Sequence, residues 1–487
     1  MKGIAHQSEF WQKTYRTYTH QRQEHWNEVG RRLDTWQGAG RAYHRSLERI
    51  YRFLIPAGAR VLEIGCGKGD LLAAVEPGLG LGIDFSREMV RRASAHPELS
   101  IIQGDAHHLP LNSDLTFDYI ILSDLLNDVW DVEKVLQQVS RVSSSRTRLI
   151  INSYSRLWEP ALSLARRLGW AKPNLPQNWL TVRDLRSLLH LTGLESFQSR
   201  PEIIFPFPIP VLKGLLNRYL GRIFPWKHLA VSNFLIARLA RPAPGEPDHD
   251  GVSIIIPARN EADNIPEIFQ RVPRMGSSTE LIFVEGHSQD NTYQVIEEQI
   301  ENHPGWKARL FKQAGTGKGD AVRLGFEKAQ EDILMILDAD LTVPPETLPR
   351  FYQAIRTGKG ELINGVRLVY PREDQAMRFL NLVGNKFFSL AFSWLLDQPI
   401  KDTLCGTKVI SRKHYQTLAA HRDYWGDFDP FGDFELLFGA SKHHLKIVDL
   451  PIRYRKRIYG STNIKRWKHG WLLLKMVFIA ASRLKFR

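Results

Sequence analysis

Cysteine is scarce in this chain, which has only Cys66 and Cys405 in 487 residues. Two cysteines so far apart argue against a disulfide framework and fit a reducing compartment. The first residues also lack an apolar segment of signal-peptide length. We therefore expect a cytoplasmic protein. Because Cys66 lies inside a glycine-rich loop, we expect it to be a small packing residue rather than a nucleophile.

The C-terminal end has almost no acidic residue and no long hydrophobic run. Between Lys442 and Arg487 there are thirteen Lys or Arg and one acid, Asp449, so this stretch carries +12 of the net charge of +14. Apolar residues stand between the basic ones at helical spacing: Trp467, Trp471, Leu474 and Phe478. A membrane-crossing helix needs about 20 apolar residues in a row, and Lys475 interrupts this one. We predict a basic amphipathic helix over 464–487 that either lies peripherally on the inner face of an anionic membrane or packs on its own domain, with no nucleic-acid partner.

Length and composition indicate more than one globular domain. A chain of 487 residues with 43% hydrophobic and 24% charged residues has an ordinary composition but is too long for one core. The segment 241–251, rich in Pro, Gly and Asp, predicts a linker. We predict leading helices at 1–58, a first domain at 59–240, the linker, a second domain at 252–463 and the basic helix at 464–487. Strands and helices alternate on both sides of the linker, which predicts an α/β fold class with two doubly wound sheets.

The first domain opens with an apolar strand, Val61 to Ile64, followed by the loop Gly65-Cys66-Gly67-Lys68-Gly69. Glycines at this place let the backbone approach a ligand closely. Asp70 stands where a dinucleotide fingerprint has its third glycine, which argues against NAD. The next two strands end in Asp84 and in Asp105-Ala106. Asp84 suits ribose hydroxyls, and Asp105 can accept from the amine of adenine while Ala106 offers its backbone N–H.

These three strand ends together resemble the class I S-adenosylmethionine-dependent methyltransferases. The resemblance implies a Rossmann-like domain with S-adenosylmethionine as cofactor, bound by Glu63, Gly65, Gly67, Gly69, Asp84, Asp105 and Ala106. It leaves the methyl acceptor open, because the fourth strand is followed by Ser123-Asp124-Leu125-Leu126-Asn127-Asp128 and by no Asn-Pro-Pro-Tyr-like motif. We expect His107 and His108 to be surface residues of the adenine loop rather than general bases. A sheet that binds the nucleotide without catalysing transfer is the alternative.

The second domain is organised around Ile333 to Asp340, an apolar run that stops on two carboxylates, Asp338 and Asp340. A short apolar run of this kind predicts a buried strand of a parallel sheet, and ligands of such sheets bind at the carboxyl ends of the strands. If the chain stays extended, residues i and i+2 point to the same side, so both carboxylates can face one Mg²⁺ or Mn²⁺. The alternative is a solvated acidic strand end.

Polar residues also follow the neighbouring strands of this domain: Asn260 and Glu261, Glu285, and Lys318. The loop around Lys318 is not a P-loop, because Gly319 stands where that motif has Ser or Thr. Since the carboxyl ends of parallel strands share one edge of a sheet, we expect these groups to converge. Polar side chains suit a nucleoside, and a pair of acids with a cation suits its diphosphate.

This half resembles the family-2 glycosyltransferases, inverting enzymes with a nucleotide-diphospho-sugar transferase (GT-A) fold, and among them the polyprenyl- and dolichyl-phosphate sugar transferases. The matching pieces are Ile256–Glu261, Val284–Thr292, Gly317–Gly319, Asp338–Asp340, Asp402–Lys408 and Arg457–Ser461. The resemblance implies a nucleotide-sugar donor held by Pro257, Asn260, Glu261, Glu285, Lys318, Asp338 and Ser461. It further implies a metal at Asp338 and Asp340 and catalytic roles for Asp340, Asp402 and Arg457. Glu285-Gly286 replaces the family's usual Asp-Asp or Asp-Asn, so the choice of nucleotide stays open.

The acceptor decides which further residues are needed. A lipid phosphate is already ionised and needs cations such as Arg367 and Arg378, whereas a glycan hydroxyl needs a carboxylate base. The candidate bases are Asp402, Asp433 and Glu435, although Asp402 can also be an ordinary capping or ion-paired residue. The apolar segment from Phe379 to Leu396 predicts a helix that forms a lipid-facing floor with the basic C-terminal helix.

We therefore predict a bifunctional enzyme that transfers a sugar from a nucleotide-sugar and a methyl group from S-adenosylmethionine, and that works at a membrane surface. One alternative is a soluble glycosyltransferase that acts on a small-molecule or protein hydroxyl and whose methyltransferase-like domain is not catalytic. The other is a surface-binding protein whose two sheets only bind nucleotides.

Overall fold

The structure is a computed structural model that describes residues 2–32, 40–112, 115–167, 175–205, 216–223, 225–240, 250–367, 379–422, 432–452 and 466–486. The chain forms two compact units, one made mainly of residues up to Ala243 and the other mainly of residues from Pro244 onwards. Each unit contains one seven-stranded sheet. The predicted α/β class with two sheets is thus confirmed.

The first unit begins with two helices, α1 (Lys2–Arg32) and α2 (Gly40–Leu54). Its strands are β1 (Arg60–Ile64), β2 (Leu79–Asp84), β3 (Leu99–Gln103), β4 (Tyr119–Ser123), β5 (Arg148–Tyr154), β6 (Leu194–Glu202) and β7 (Ser232–Leu239). They lie in the order β3-β2-β1-β4-β5-β7-β6, and neighbours are parallel except that β7 is antiparallel to both β5 and β6. The order reverses between β1 and β4, and ligands of such sheets bind at the carboxyl ends beside the reversal.

Helices cover both faces of this first sheet, which explains why its central strands are apolar along their whole length. The helices that follow β1 are α3 (Asp70–Ala74), α4 (Arg87–Ala93), α5 (Val132–Arg141), α6 (Glu159–Arg167) and α7 (Val182–Leu191). Leu62 and Ile120 pack on one face with residues of α5 and α7. Val61 and Ile121 pack on the other face with residues of α2. Because successive strand residues alternate between the two faces, each strand contributes to two cores.

The second unit has strands β8 (Val252–Ala258), β9 (Thr279–Glu285), β10 (Lys307–Lys312), β11 (Ile333–Ile336), β12 (Leu362–Val366), β13 (Lys408–Ser411) and β14 (Ile447–Pro451). Their order is β10-β9-β8-β11-β13-β12-β14, and β13 is antiparallel to its two neighbours while the other pairs are parallel. The helices are α8 (Ile265–Arg271), α9 (Thr292–Asn302), α10 (Lys318–Lys328), α11 (Leu348–Arg356), α12 (Phe379–Leu396), α13 (Arg412–Ala420), α14 (Asp433–Lys442) and α15 (Arg466–Leu484).

The strand that organises the second sheet is β11, and all four of its residues are buried. It pairs in parallel with β8, which in turn pairs in parallel with β9. The predicted buried strand is therefore confirmed, with the difference that its other neighbour, β13, is antiparallel. The carboxyl ends of β8, β9 and β11 lie at one edge, so the residues after these strands are brought together there.

The two helices predicted to form a lipid-facing floor are both present, and α12 packs against α15. One face of α15 is buried at Leu473, Met476 and Leu484, whereas Trp471 and Phe478 are each 72% exposed. In the ranges that the structure describes, no helix combines the length and the apolar character needed to cross a membrane. The C-terminal helix thus packs on its own domain with one face and presents aromatic side chains on the other.

Candidate functional site

The glycine-rich loop after β1 has a left-handed backbone at three positions, Gly65 (φ 76°), Gly67 (φ 54°) and Gly69 (φ 83°). Side chains other than glycine rarely adopt this conformation. A Cβ atom at Gly65 would lie 2.8 Å from the Leu125 side chain, whereas a Cβ at Gly67 would meet no atom within 4 Å. The loop therefore packs tightly against the segment after β4 and has open space beside Gly67.

Asp84 at the end of β2 holds the glycine loop in place. Its carboxylate accepts hydrogen bonds from the backbone N–H groups of Gly67 and Ser86, each at 2.9 Å. Burial raises the pKa of Asp84 to about 6, although these backbone bonds oppose the rise. This position, beside the loop and at the strand end, is the one in which an acid could meet ribose hydroxyls.

Glu63 in β1 is 2% exposed, and its Oε2 atom has no hydrogen-bond partner among the described residues. Burial and the nearby charge of Asp84 raise the pKa of Glu63 well above its usual range. A buried acceptor without a partner is costly unless a ligand satisfies it. The open space at Gly67 and this acceptor fit a ligand with an ammonium group, such as the methionine part of S-adenosylmethionine.

Asp105 follows β3 and already has protein partners on both oxygens. Oδ1 accepts from the backbone N–H of His107 at 2.9 Å and from its ring Nδ1 at 2.7 Å, and Oδ2 accepts from the hydroxyl of Tyr15. Burial raises the pKa of Asp105, but the hydrogen bonds from His107 and Tyr15 outweigh it and hold the pKa at about 2. An adenine amine would have to share this carboxylate with both residues.

His107 is 5% exposed, so its expected surface position is wrong. The reason is local, because Asp131 donates its backbone N–H to Nε2 at 3.1 Å while Nδ1 faces Asp105. The imidazole is thus fixed between a loop and the start of α5. His108 is exposed, as expected.

Helix α1 lies across the carboxyl edge of the first sheet, a placement that the sequence did not predict. Besides Tyr15, Gln23 donates to the Phe85 carbonyl at 2.8 Å, and Asn27 accepts from the Ser86 hydroxyl at 2.7 Å. The indole of Trp26 donates to Asp128 after β4 at 2.5 Å. The helix therefore contacts the segments after β2, β3 and β4. This placement could have been predicted from the polar and aromatic residues that α1 carries among its basic ones.

In the second unit, Lys318 and Asp338 form an ion pair, with 2.5 Å between Nζ and Oδ1. Burial raises the pKa of Asp338, but the charges of Lys318, Lys408 and Arg367 outweigh it and lower the pKa below the usual range. Lys318 is the first residue of α10 and follows Gly317, whose φ is 91°. The glycine-rich loop that is not a P-loop thus delivers a lysine to the acid pair, and the expected convergence of these two residues is observed.

The expectation that Asp338 and Asp340 lie in an extended segment is wrong. Strand β11 ends at Ile336, and a turn follows in which the backbone N–H of Leu341 donates to the Asp338 carbonyl at 3.2 Å. Leu341 has a φ of 51°. In the turn, Oδ1 of Asp340 accepts from the backbone and the hydroxyl of Thr342 at 3.1 and 2.8 Å.

The described residues contain no group of three or more His, Cys, Asp or Glu that could hold a metal ion. Two neighbouring carboxylates nevertheless fit a Mg²⁺ or Mn²⁺ ion that takes its other ligands from phosphates and water. The ammonium of Lys318 already occupies a cationic position at Asp338. The donor set therefore suits a cation that arrives together with a diphosphate.

The loop before β13 closes over this ion pair. A Cβ atom at Gly406 would lie 2.1 Å from Nζ of Lys318 and 2.2 Å from an oxygen of Asp338. Lys408, which is 0% exposed, donates from Nζ to the Cys405 carbonyl at 2.6 Å. Glycine is thus required at 406 because there is no room for a side chain next to the charged pair.

Asp402 and Arg367 form a bidentate ion pair, with Nε and Nη2 of Arg367 at 2.8 and 2.9 Å from the two carboxylate oxygens. Asp402 is 4% exposed. Burial raises the pKa of Asp402, but the hydrogen bonds and charge of Arg367 lower it below the usual range. Such a carboxylate has little affinity for a proton, which favours the ion-paired alternative for Asp402 over a role as general base.

The remaining predicted donor residues form hydrogen bonds within and between the loops after β8 and β9. Asn260 accepts at Oδ1 from the backbone N–H of Gln289 at 2.7 Å, and Glu285 accepts from that of Ser288 at 2.5 Å. Glu261 accepts from the Asn264 side chain at 2.7 Å. Pro257 lies within β8. These residues form one polar edge beside the acid pair.

Some predicted residues lie elsewhere. Glu435 pairs with Arg422 at 2.6 Å and Arg323 at 3.3 Å, so its carboxylate belongs to a separate charge cluster. Arg378, Arg457 and Ser461 lie outside the described residues, as does the side chain of Asp433.

The geometry defines a protein of two α/β domains, each with a cluster of polar residues at the carboxyl ends of its strands. Residues 55–183 match the family described as methyltransferase domain, and residues 253–419 match glycosyl transferase family 2. The chain therefore joins a methyltransferase domain of Rossmann-like fold to a family-2 glycosyltransferase domain of GT-A fold, as both resemblances implied.

Curated relatives match the second half. The dolichol-phosphate mannosyltransferase of Pyrococcus furiosus is 27% identical over 220 residues, which are 44% of this chain and 59% of the relative. Glycosyltransferase AglJ of Haloferax volcanii is 28% identical over 238 residues, or 48% of this chain and 74% of AglJ. An undecaprenyl-phosphate 4-deoxy-4-formamido-L-arabinose transferase of Pseudomonas fluorescens is 26% identical over 215 residues, 43% of this chain and 59% of that relative. The chain thus spans less than two thirds of the first and third of these relatives.

Solved structures match each half at low identity. Glucosyl-3-phosphoglycerate synthase of Mycobacterium tuberculosis is 19% identical with a TM-score of 0.38 and covers 49% of this chain and 80% of its own. A SAM-dependent methyltransferase of Thermotoga maritima is 18% identical with a TM-score of 0.34 and covers 44% of this chain and 98% of its own.

Proposed function

We propose that the protein is a bifunctional enzyme. Its second domain transfers a sugar from a nucleotide-sugar, with inversion, to a lipid-phosphate or glycan acceptor, and its first domain transfers a methyl group from S-adenosylmethionine. The observation that carries the glycosyl transfer is the cluster at the edge of the second sheet, where Lys318, Asp338 and the Gly406 loop meet next to Asp340.

The acid pair and Lys318 would hold the diphosphate of the donor. Asp338 and Asp340 are the residues that would hold Mg²⁺ or Mn²⁺, and a bound cation neutralises the charge that grows on the departing diphosphate. The ammonium of Lys318 would then pair with a phosphate in place of Asp338. Arg457 and Ser461 are the residues that the resemblance assigns to the pyrophosphate. Pro257, Asn260, Glu261 and Glu285 form the edge that would bind the nucleoside.

The Asp402–Arg367 ion pair supports a lipid phosphate as the acceptor. An ionised phosphate can attack the anomeric carbon without a base, so the low proton affinity of Asp402 is no obstacle. In this proposal Asp402 orients Arg367, and Arg367 and Arg378 attract the acceptor phosphate. Two of the relatives are named as a dolichol-phosphate mannosyltransferase and an undecaprenyl-phosphate sugar transferase, which agrees with this acceptor class.

The exposed apolar side chains of α12 and α15 support peripheral contact with an anionic membrane, where such an acceptor would be found. Phe387 and Leu390 of α12 are 51% and 60% exposed, and Trp471 and Phe478 of α15 are 72% exposed. Trp471 and Phe478 stand in the strongly basic stretch from Lys442 to Arg487. Lys and Arg near an anionic surface each contribute roughly 1 kcal/mol to binding.

For the first domain, S-adenosylmethionine supplies the methyl group when bound. In our proposal Glu63 accepts from its ammonium group through the Oε2 atom, the backbone at Gly65, Gly67 and Gly69 lies under its methionine part, and Asp84 binds the ribose. Asp105 and Ala106 receive the adenine at an edge that Tyr15 also reaches.

The test is the release of nucleoside diphosphate from a panel of nucleotide-sugars, with Mg²⁺ or Mn²⁺ and a polyprenyl phosphate. We expect metal-dependent release for at least one sugar and a loss of about 100-fold or more in Asp340→Ala. Asp332→Ala, an exposed acid just before the same strand, serves as the control and should keep full activity. Equal activity of both variants would contradict the proposal, and transfer to a hydroxyl without lipid or detergent would favour the soluble alternative.

A further inference from the structure

Asp124 stands at the carboxyl end of β4, on the far side of the sheet reversal from the glycine loop. It has a left-handed backbone (φ 53°), and its N–H donates to the Asn152 carbonyl at 3.1 Å. The side chain of the next residue, Leu125, lies where it would be 2.8 Å from a Cβ atom added at Gly65. Residues other than glycine that are held in such a strained backbone conformation cluster at functional sites. The conformation of Asp124, next to the glycine-rich loop, therefore points to a functional role.

Neutral groups surround the Asp124 carboxylate. The Tyr43 hydroxyl donates to its oxygens at 3.1 and 3.2 Å, and Nδ2 of Asn152 donates at 2.7 Å. The Asn152 amide is itself oriented, because Tyr51 donates to its Oδ1 at 2.6 Å. The charges and ionisable groups that face this cluster come from α2, β1 and β5: Tyr43, Tyr51, Glu63 and Tyr154.

This environment contrasts with that of Asp402, which has an arginine as partner. Burial raises the pKa of Asp124 to about 7, while hydrogen bonds from Tyr43, Tyr154 and Asn152 oppose the rise. A carboxylate of this kind exchanges a proton near neutral pH, which is the property that a general base needs. The residue as a whole keeps a partly exposed surface.

Tyr43 and Tyr154 stand next to Asp124, and Trp179 lies beyond Tyr154. Tyr43 and Tyr154 are stacked with their ring centroids 5.6 Å apart, and Tyr154 contacts Trp179 at 6.4 Å. Tyr154 and Trp179 are partly exposed. Aromatic faces of this kind pack well against the C–H face of a sugar ring, whose hydroxyls point sideways toward hydrogen-bonding groups.

We propose that Asp124 is the general base of the methyl transfer in the first domain and that the acceptor is a sugar, one hydroxyl of which reacts while its ring packs on the partly exposed Tyr154 and Trp179. A sugar hydroxyl is a weak nucleophile while it keeps its proton. As the oxygen forms its bond to the methyl carbon, the carbon–sulfur bond breaks and leaves its electron pair on sulfur, and the hydroxyl proton moves to Asp124. The products are a methyl ether, S-adenosylhomocysteine and a protonated carboxyl. The inference rests on the proposed methyl transfer and is tested separately from it.

The first measurement uses Asp124→Asn and, as the matched control, Asp118→Asn. Asp118 precedes the opposite end of the same strand and accepts from the backbone of Arg60 at 2.9 Å. Binding of S-adenosylmethionine, measured by calorimetry on the full chain, should change less than about threefold in either variant. Methyl transfer from labelled S-adenosylmethionine to a panel of methyl glycosides and nucleotide-sugars should fall by about 100-fold or more in Asp124→Asn only.

A second readout does not depend on activity. Because the native pKa of Asp124 is raised, the folded protein binds a proton more tightly than the unfolded chain between about pH 4 and pH 7. The wild type therefore loses stability relative to Asp124→Asn as the pH rises through this range, and Asp118→Asn follows the wild type. Urea unfolding of the three proteins at several pH values measures the difference.

The outcomes separate the two proposals. If S-adenosylmethionine does not bind to the wild type, the proposed methyl transfer fails and this inference fails with it. If it binds and Asp124→Asn keeps sugar methylation within about threefold of the wild type, only the role of Asp124 is overturned. Methylation of amines, phenols or carboxylates with no sugar methylated would overturn the sugar-hydroxyl acceptor.

Discussion

Carboxylates at the strand ends and in the neighbouring loops differ by the charge of their partners. Asp338 and Asp402 each face a lysine or arginine, and their pKa values are lowered. Asp84 and Asp124 are held by backbone amides or neutral side chains, and burial raises the pKa values to about 6 and about 7. Asp338 and Asp402 therefore stay anionic at neutral pH, whereas Asp84 and Asp124 can gain or lose protons near it.

Gly406→Ala tests the tight packing over the Lys318–Asp338 pair. The added methyl group would have to occupy the space 2.1 Å from Nζ of Lys318, so the pair must separate. We expect a loss of about tenfold or more in kcat/KM for the nucleotide-sugar and a destabilisation of about 1–3 kcal/mol. Steady-state kinetics and urea unfolding measure the two effects.

Gly305→Ala is the matched control, because a Cβ there would come no closer than 3.7 Å to the Arg274 side chain. It should leave both quantities near the wild-type values. Wild-type kinetics in Gly406→Ala would mean that the ion pair can move without consequence and would remove Lys318 from the donor site.

At the scale of elements, the sequence predicts features that depend on a few neighbouring residues, but not contacts between distant parts of the chain. The strand ends, the glycine loop and the run from Ile333 to Asp340 carry their own pattern, since burial and turn chemistry act over a few residues. The turn at Asp338 was not predicted, because an apolar run does not show at which residue the strand stops pairing with its neighbours. The contact of Tyr15 with Asp105, 90 residues away, depends on packing that no local pattern encodes.

Tyr15→Phe tests whether α1 is held over the edge of the first sheet. The variant loses the hydroxyl that donates to Asp105, a bond to an ionised carboxylate that stabilises by about 1–2 kcal/mol. Because the native pKa of Asp105 is lowered to about 2, this stabilisation is present above about pH 4 and is lost as the pH falls toward 2. Hydrogen exchange in α1 should become faster in the variant at neutral pH.

Tyr18→Phe, one turn further along α1, is the control, since its hydroxyl donates to the Val129 carbonyl at a longer distance of 3.4 Å. Its effect on exchange should be smaller. If Tyr15→Phe exchanges like the wild type, or if the difference in unfolding free energy does not narrow in acid, the bond to Asp105 does not hold the helix.

At the scale of the whole molecule, chain length and the alternation of strands and helices on both sides of the linker predicted two α/β domains, and the family models agree with both resemblances. The basic C-terminal stretch predicted a helix that lies on a membrane or packs on its domain. Packing on its own domain is observed for α15, one face of which is buried. Trp471 and Phe478 remain exposed, and their contact with a membrane stays a proposal. The net charge shows which segment of the chain is basic. Which face of α15 remains exposed is decided by the packing of α15 against α12.

The double variant Trp471→Ser with Phe478→Ser tests this surface. We expect the wild type to bind vesicles that contain phosphatidylglycerol and to release them at high salt, because basic residues and aromatic side chains both contribute. The double variant should bind about tenfold more weakly, as measured by vesicle co-sedimentation. Leu157→Ser with Leu191→Ser removes side chains that are 59% and 69% exposed in the first unit and should bind like the wild type. Equal weakening by both double variants would mean that exposed apolar area in general, rather than the α15 face, holds the protein on the vesicle.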